Sequence, residues 1–179
     1  MDFEIITTDR LYLRKLTDET FEALLKNASD EIVVQILAIR PEDLGKERAK
    51  AKKGFGTFNK SLLIFQLIDK QSDAVIGWCG YHTWYRDHNR AEIGYGMSNE
   101  AVKAKGFMTE ALAKIIDYGF AEMQLNRIEA MISPENVPSL KLVEKFGFTR
   151  EGHLRSHYFK DGKYEDSLVF SLLKTEYGQ

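Results

Sequence analysis

Apolar and polar positions change rhythm along the chain, and each rhythm predicts an element. "IITTDRLYLRKL" alternates and reads as a first strand. "TDETFEALLKNA" reads as a helix, with Thr17 as N-cap, an acidic residue about three on, near Thr20, and a stripe of Leu24, Leu25 and Ala28. Pro41 to Lys60 is helix-like and basic, ended by Gly54 and Gly56; it is a solvated helix or a lid on the substrate side. "SLLIFQLID", "AVIGWCGYHTWY" and "AEIGYGMS" are strands whose short links, "QSD" and "RDHNR", predict an antiparallel meander. In "GFMTEALAKIIDYGFAEM" the apolar spacing becomes helical, from Met108 through Ala111, Leu112, Ile115, Ile116, Gly119 and Phe120 to Met123. "NRIEAMIS" is a strand, and "NVPSLKLVEKFGF" a short helix closed by Gly147. Two last strands, "FTREGHLRSHYF" and "KYEDSLVFSLLK", meet at the Asp-Gly turn of "KDGK". The order β-α-α-βββ-α-β-α-ββ predicts an α/β (α+β) fold with a mostly antiparallel sheet flanked by helices, in one domain spanning residues 1–179.

Composition narrows the classes. Hydrophobic residues make up 44% of the 179, enough for a core without disulfides or metals. Net charge is −2, so no global basic field points to nucleic acid. The lone cysteine, Cys79, excludes a disulfide framework within the chain, and the four histidines never join it at zinc-finger spacing. "MDFEIITTDR" does not look like a signal peptide, and no apolar run reaches the ~20 residues of a membrane span. The expectation is a cytoplasmic protein with no metal, no nucleic acid and no membrane partner.

Three stretches carry candidate chemistry. Glu92, Gly94 and Gly96 share one face of their strand, and Ile93, Tyr95 and Met97 the other. Paired glycines leave backbone bare, for a helix packed over the sheet or for a ligand. Glu92 beside them is a general base, or the partner of Arg90 or Arg127 in a salt bridge. "KAKGFMTEA" precedes a long helix whose free N–H groups suit a phosphate, although any strand-loop-helix with lysines looks similar and an ordinary turn is the plainer reading. Asn136 and Ser139 open the short helix, as cap and first-turn serine or as site residues. No Gly-x-Ser-x-Gly elbow and no Gly-x-Gly-x-x-Gly fingerprint occur, which argues against a serine hydrolase and a Rossmann nucleotide binder.

The ordered set "TDRLYLRKLT", "AVIGWCGY", "AEIGYGMS", "AKGFMTEAL", "NRIEAMISPENVPSLKLVEKFGFTREG" and "DGKYEDSLVFSLL" resembles the GNAT superfamily of acetyl-CoA-dependent N-acetyltransferases, and within it the RimJ/RimL-type branch that acetylates ribosomal-protein N-termini. The resemblance covers essentially the whole chain. It implies a loop pattern Gln/Arg-x-x-Gly-x-Gly/Ala around the coenzyme pyrophosphate, here Lys103-Ala104-Lys105-Gly106-Phe107-Met108. Lys103 and Met108 depart from that pattern, and Ala104 stands where branch members often have glycine. The coenzyme-binding set it implies is Met97, Ser98, Lys103, Ala104, Lys105, Gly106, Phe107, Met108, Thr109 and Asn136. A backbone N–H near Met97 would polarise the thioester, and the strand glycines would admit the pantetheine arm. Glu92 falls at the position of the base and Ser139 at that of the acid, while the tyrosine used by many members is replaced by Val143. Tyr158 and Asp166 would face the acceptor, a protein N-terminus or a small amine. A coenzyme-binding module without catalysis is the alternative. Exposed aromatics in the last hairpin (Tyr158, Phe159, Tyr164) suggest a homodimer surface. Cys79 reads as a small buried hydrophobe rather than an acyl-carrying thiol.

Overall fold

The structure, a computed structural model, describes residues 2–54 and 61–178. The expected first strand is two: β1 (Ile5–Thr7) and β2 (Leu11–Thr17) form a hairpin. Thr8 makes the turn between them. Its N–H donates to the Leu11 carbonyl and its hydroxyl accepts from the Leu11 N–H, both at 3.0 Å. This local side-chain bond interrupts an alternation that otherwise runs on unbroken.

Helix α1 (Asp18–Asn27) starts at Thr17 as expected, but its partner in the capping box is Thr20 itself rather than a carboxylate. The Thr20 hydroxyl accepts from the Thr17 N–H at 2.6 Å. α2 (Asp30–Leu37) escaped the sequence reading, although Ser29 caps it and Asp30 and Glu31 fill its first turn. α3 (Leu44–Lys53) is shorter than the expected 41–60: Pro41–Asp43 form a 3-10 turn, and Gly54 at φ 79° ends the helix. Gly56 and the rest of that stretch to Lys60 lie outside the described residues. The three helices close a small core of Leu24, Leu25, Val33 and Ala51. Arg48 of α3 donates to the Leu25 and Ala28 carbonyls, so this charge holds α3 against the end of α1.

The remaining strands are β3 (Ser61–Asp69), β4 (Val75–Tyr85), β5 (Arg90–Met97), β6 (Arg127–Ile132), β7 (Thr149–Lys160) and β8 (Lys163–Leu173). With β1 and β2 they form one sheet in the order β1-β2-β3-β4-β5-β6-β8-β7. Every adjacent pair is antiparallel except β5–β6, which α4 (Phe107–Ala121) connects as a crossover. α5 (Val137–Lys145) follows β6. Asp161 and Gly162, at φ 50° and 80°, form the expected tight turn of the last hairpin, where the Phe159 and Tyr164 rings pack at a tilt, 5.0 Å between centres.

The main core lies under α4. Ala111, Leu112, Ile115 and Ile116 are fully buried, together with Leu13, Phe65, Leu67 and Ile128 from the sheet. Gly119 lets α4 approach: a Cβ there would sit 2.1 Å from the Tyr81 hydroxyl, which donates to the Ile115 carbonyl. No helix among the described residues is long and apolar enough to cross a membrane.

Candidate active site

β5 and β6 pair only at Arg90↔Arg127, Ala91↔Ile128 and Glu92↔Glu129. Beyond Glu92 they diverge and leave a wedge. The register with β4 fixes which β5 groups face it. Ser98 donates its N–H to the Ile76 carbonyl at 2.9 Å, one step past the Gly77↔Met97 pair. Antiparallel hydrogen bonding alternates, so the Met97 and Tyr95 N–H groups point the other way, into the wedge. Ser98 itself turns toward β4 and lines neither cavity described below.

One mouth of the wedge opens on a cavity of about 510 Å³, lined by the stretch from Val102 to Thr109, by Tyr95, Gly96 and Met97, and by Asn136, Pro138, Ser139 and Leu142. Gly106 is the N-cap of α4 at φ 80°, and no side chain caps that helix. The first intrahelical bond runs from the Glu110 N–H to the Gly106 carbonyl. The N–H groups of Phe107, Met108 and Thr109 are therefore unclaimed by the helix, at the positive end of its dipole. Ala104 is left-handed too, at φ 56°. Lys103 is paired with Glu100, so Lys105 is the freer of the two lysines.

The loop is strapped from behind. Arg10, in the β1–β2 turn, donates to the Lys105 carbonyl at 2.9 Å and lies over the Phe107 ring. Its Nε and backbone N–H both reach the Glu110 carboxylate, which also accepts from the Thr8 hydroxyl. Burial alone would raise the Glu110 pKa, but these donors outweigh it and hold the carboxyl below its ordinary range.

The other mouth is a cavity of about 240 Å³, whose walls include Trp78, His82, Glu92 and Tyr158. Tyr95, Asn136 and Ser139 line both cavities, so the two meet there. The expected arginine partners of Glu92 go instead to its cross-strand neighbour: Arg90 and Arg127 both bond Glu129 at 2.8 Å. Glu92 is left beside His82, whose Nε2 is 3.5 Å from its Oε1. Burial and the Glu92 charge together raise the Tyr158 pKa. Burial raises that of Tyr95 as well, partly offset by nearby Ser139. The Tyr95 hydroxyl is buried with no hydrogen-bond partner among the described residues. Asn136 caps α5, its Oδ1 accepting from the Ser139 N–H at 3.3 Å.

Two sequence expectations shift. Gly94 and Gly96 make room for the Trp78 indole, which a Cβ would meet at 3.2 and 3.1 Å, rather than for a helix. Asp166 lies apart from this cavity, paired with His153 at 2.7 Å. Cys79 is fully buried, and burial pushes its thiol pKa far up, so it is no nucleophile at neutral pH. The sequence reading passed over Arg10, Trp78 and His82. Period-two alternation along "WCGYH" put Trp78 and His82 on one face, but only the register sets them against Gly96 and Gly94. No group of residues suited to hold a metal ion occurs among the described residues.

Comparison with known proteins bears on the same region. A profile of the acetyltransferase (GNAT) domain matches residues 10–149. The uncharacterized N-acetyltransferase p20 of Bacillus licheniformis is 39% identical over 97% of this chain and 98% of its own. The crystal structure of a GNAT-family acetyltransferase from Bacillus anthracis superposes with a TM-score of 0.67 at 30% identity, covering 97% of this chain and all of that one. A candidate ribosomal-protein-serine acetyltransferase from Vibrio cholerae gives 0.63 at 25% identity, over 95% and 97% of the two chains. The splayed strands, the open helix N-terminus and these matches together make the chain a member of the GNAT acetyltransferase family, with relatives of RimJ/RimL type.

Proposed function

We propose that the chain transfers acetyl from acetyl-CoA to a primary amine on a protein or peptide N-terminus, with Glu92 as base and Ser139 as acid. The observation that carries this reading is the junction of two cavities at Tyr95, Asn136 and Ser139. One cavity ends in backbone amides and the other in a carboxylate free of arginine. Gly106, Phe107, Met108 and Thr109 offer N–H groups for the pyrophosphate, with Lys103, Ala104 and Lys105 shaping the approach. Met97 directs its N–H at the thioester carbonyl from the wedge, in an oxyanion-hole role. Glu92 accepts the amine's proton, and the freed nitrogen attacks the thioester carbon. Ser139 supplies a proton to the departing sulfur. Of the two protons the ammonium nitrogen loses overall, one ends on sulfur and one in solvent.

The acceptor side favours an amine carried on a larger, mainly apolar group. Trp78 and Tyr158 are exposed beside it, and Glu92 is the one carboxylate among the described residues that line it. A polyamine brings further cations, for which that lining has no second carboxylate. The test is thiol release from acetyl-CoA with N-terminal peptides and with polyamines. Peptides should be preferred, and Glu92→Gln and Ser139→Ala should each lower kcat about 100-fold with coenzyme binding retained. Parent-like turnover by both variants would refute the assigned roles.

A further inference from the structure

His82 stands on β4 opposite the base, and its geometry fixes its proton. Nδ1 lies 3.0 Å from the backbone carbonyl oxygen of Glu92. A carbonyl oxygen only accepts, so Nδ1 carries the hydrogen. In the neutral ring, Nε2 is then an acceptor, and it lies 3.5 Å from the Glu92 carboxylate. Two acceptors facing each other need a donor hydrogen between them, from a proton, a water or an N–H group. One residue, Glu92, therefore sets the tautomer through its backbone and faces the resulting lone pair with its side chain. The carboxylate side chain is 15% exposed and the imidazole 38%, so the ring is the member of the pair with the wider path to water.

We propose that His82 and Glu92 form one proton-accepting pair, in which Glu92 meets the acceptor ammonium and His82 Nε2 takes the proton on and delivers it to solvent. This rests on the reading of Glu92 as base. Balance is kept: the ammonium N–H bond breaks, the proton bonds to Nε2 with Nδ1–H still held by the carbonyl, and the imidazolium releases it to water. Imidazole suits this office because one ring nitrogen can take up a proton while the other keeps its own. Among the described residues lining the cavity, the other titratable groups are Tyr95 and Tyr158. Of the pair's neighbours, neither brings a competing cation. His82 is a positioning and relay residue, since it acts through Glu92.

Two substitutions separate relay from scaffold. His82→Asn keeps an N–H donor near the Nδ1 position and deletes Nε2. His82→Gln places an amide near Nε2 and loses the donor to the carbonyl. The measurements are kcat/KM against pH, KM for acetyl-CoA, and thermal midpoint. The relay predicts that His82→Asn loses at least ~10-fold in kcat, keeps its KM for acetyl-CoA and its midpoint, and differs from the parent in the shape of its pH profile. Parent-like rate and pH profile in His82→Asn would overturn it. So would equal slowing of both variants with the pH profile unchanged, which marks a scaffold; if His82→Asn does not fold, the same profile is read on His82→Gln. Glu92→Gln is measured alongside. Its inactivity with a fully active His82→Asn defeats the relay alone, whereas full activity of Glu92→Gln defeats the base assignment beneath it.

Discussion

Ala104 holds φ 56° in the loop before α4, a left-handed conformation that costs a non-glycine residue about 1–2 kcal/mol. Glycine there would avoid that cost but lose about 0.5–1 kcal/mol through its freer unfolded chain. The steric term wins narrowly, so Ala104→Gly should stabilise the protein slightly and tighten coenzyme A binding a few-fold, read by calorimetry. Weaker binding would mean that Ala104 does more than hold a bend. The sequence singled this residue out through a six-position loop pattern, Lys103 to Met108, in which it stands two residues before Gly106. It disclosed the face of Tyr95 through alternation, but not its orphaned hydroxyl. That property depends on where the chain near Asn136 returns, and no local pattern encodes it.

At the scale of elements, the β1–β2 turn and the first turn of α4 behave as one unit joined through Glu110. Its pKa is lowered in the folded protein, so its contribution to stability is full above the ordinary carboxylate value. It is lost as pH falls through that value toward the lowered one. The parent should therefore lose its advantage over Glu110→Gln as pH drops below about 4.3, seen as converging thermal midpoints. A gap that stays constant with pH would show the carboxylate's charge to be irrelevant. Long elements with strong periodicity, α4 and β3 to β5 among them, were legible from spacing. The β1–β2 break and α2 were not: a threonine hydroxyl made one, and the other is a short helix of eight residues whose apolar run also suits a strand. Arg10 was invisible for a different reason, since the residues it serves lie about a hundred positions away.

Across the whole molecule, family membership and site agree: the chain's backbone amides and diverging strands suit a coenzyme held largely by main chain. Any ligand that binds only the folded state stabilises it by mass action. Coenzyme A at 100 times its Kd adds about 2.7 kcal/mol, a rise of roughly 5–10 °C for a domain of this size. Differential scanning calorimetry checks this, and Gly106→Val, which forces a branched side chain into φ 80°, should abolish the rise. An undiminished rise in that variant would place the coenzyme elsewhere.

The short β5–β6 pairing has a mechanical consequence. Among the described residues, the strand ladder between the sheet half built before α4 and the half built after it is only three pairs long, extended at one end by the Asn126 and Arg127 N–H groups, which donate to the Asn89 carbonyl. Both halves pack on α4 through one shared core, so local opening is concentrated at the unpaired edges of β5 and β6 beyond Glu92. A ligand bridging the two free edges then acts as a missing strand. Amide protons on β5 and β6 beyond Glu92 should become slow to exchange together only while the coenzyme is in place.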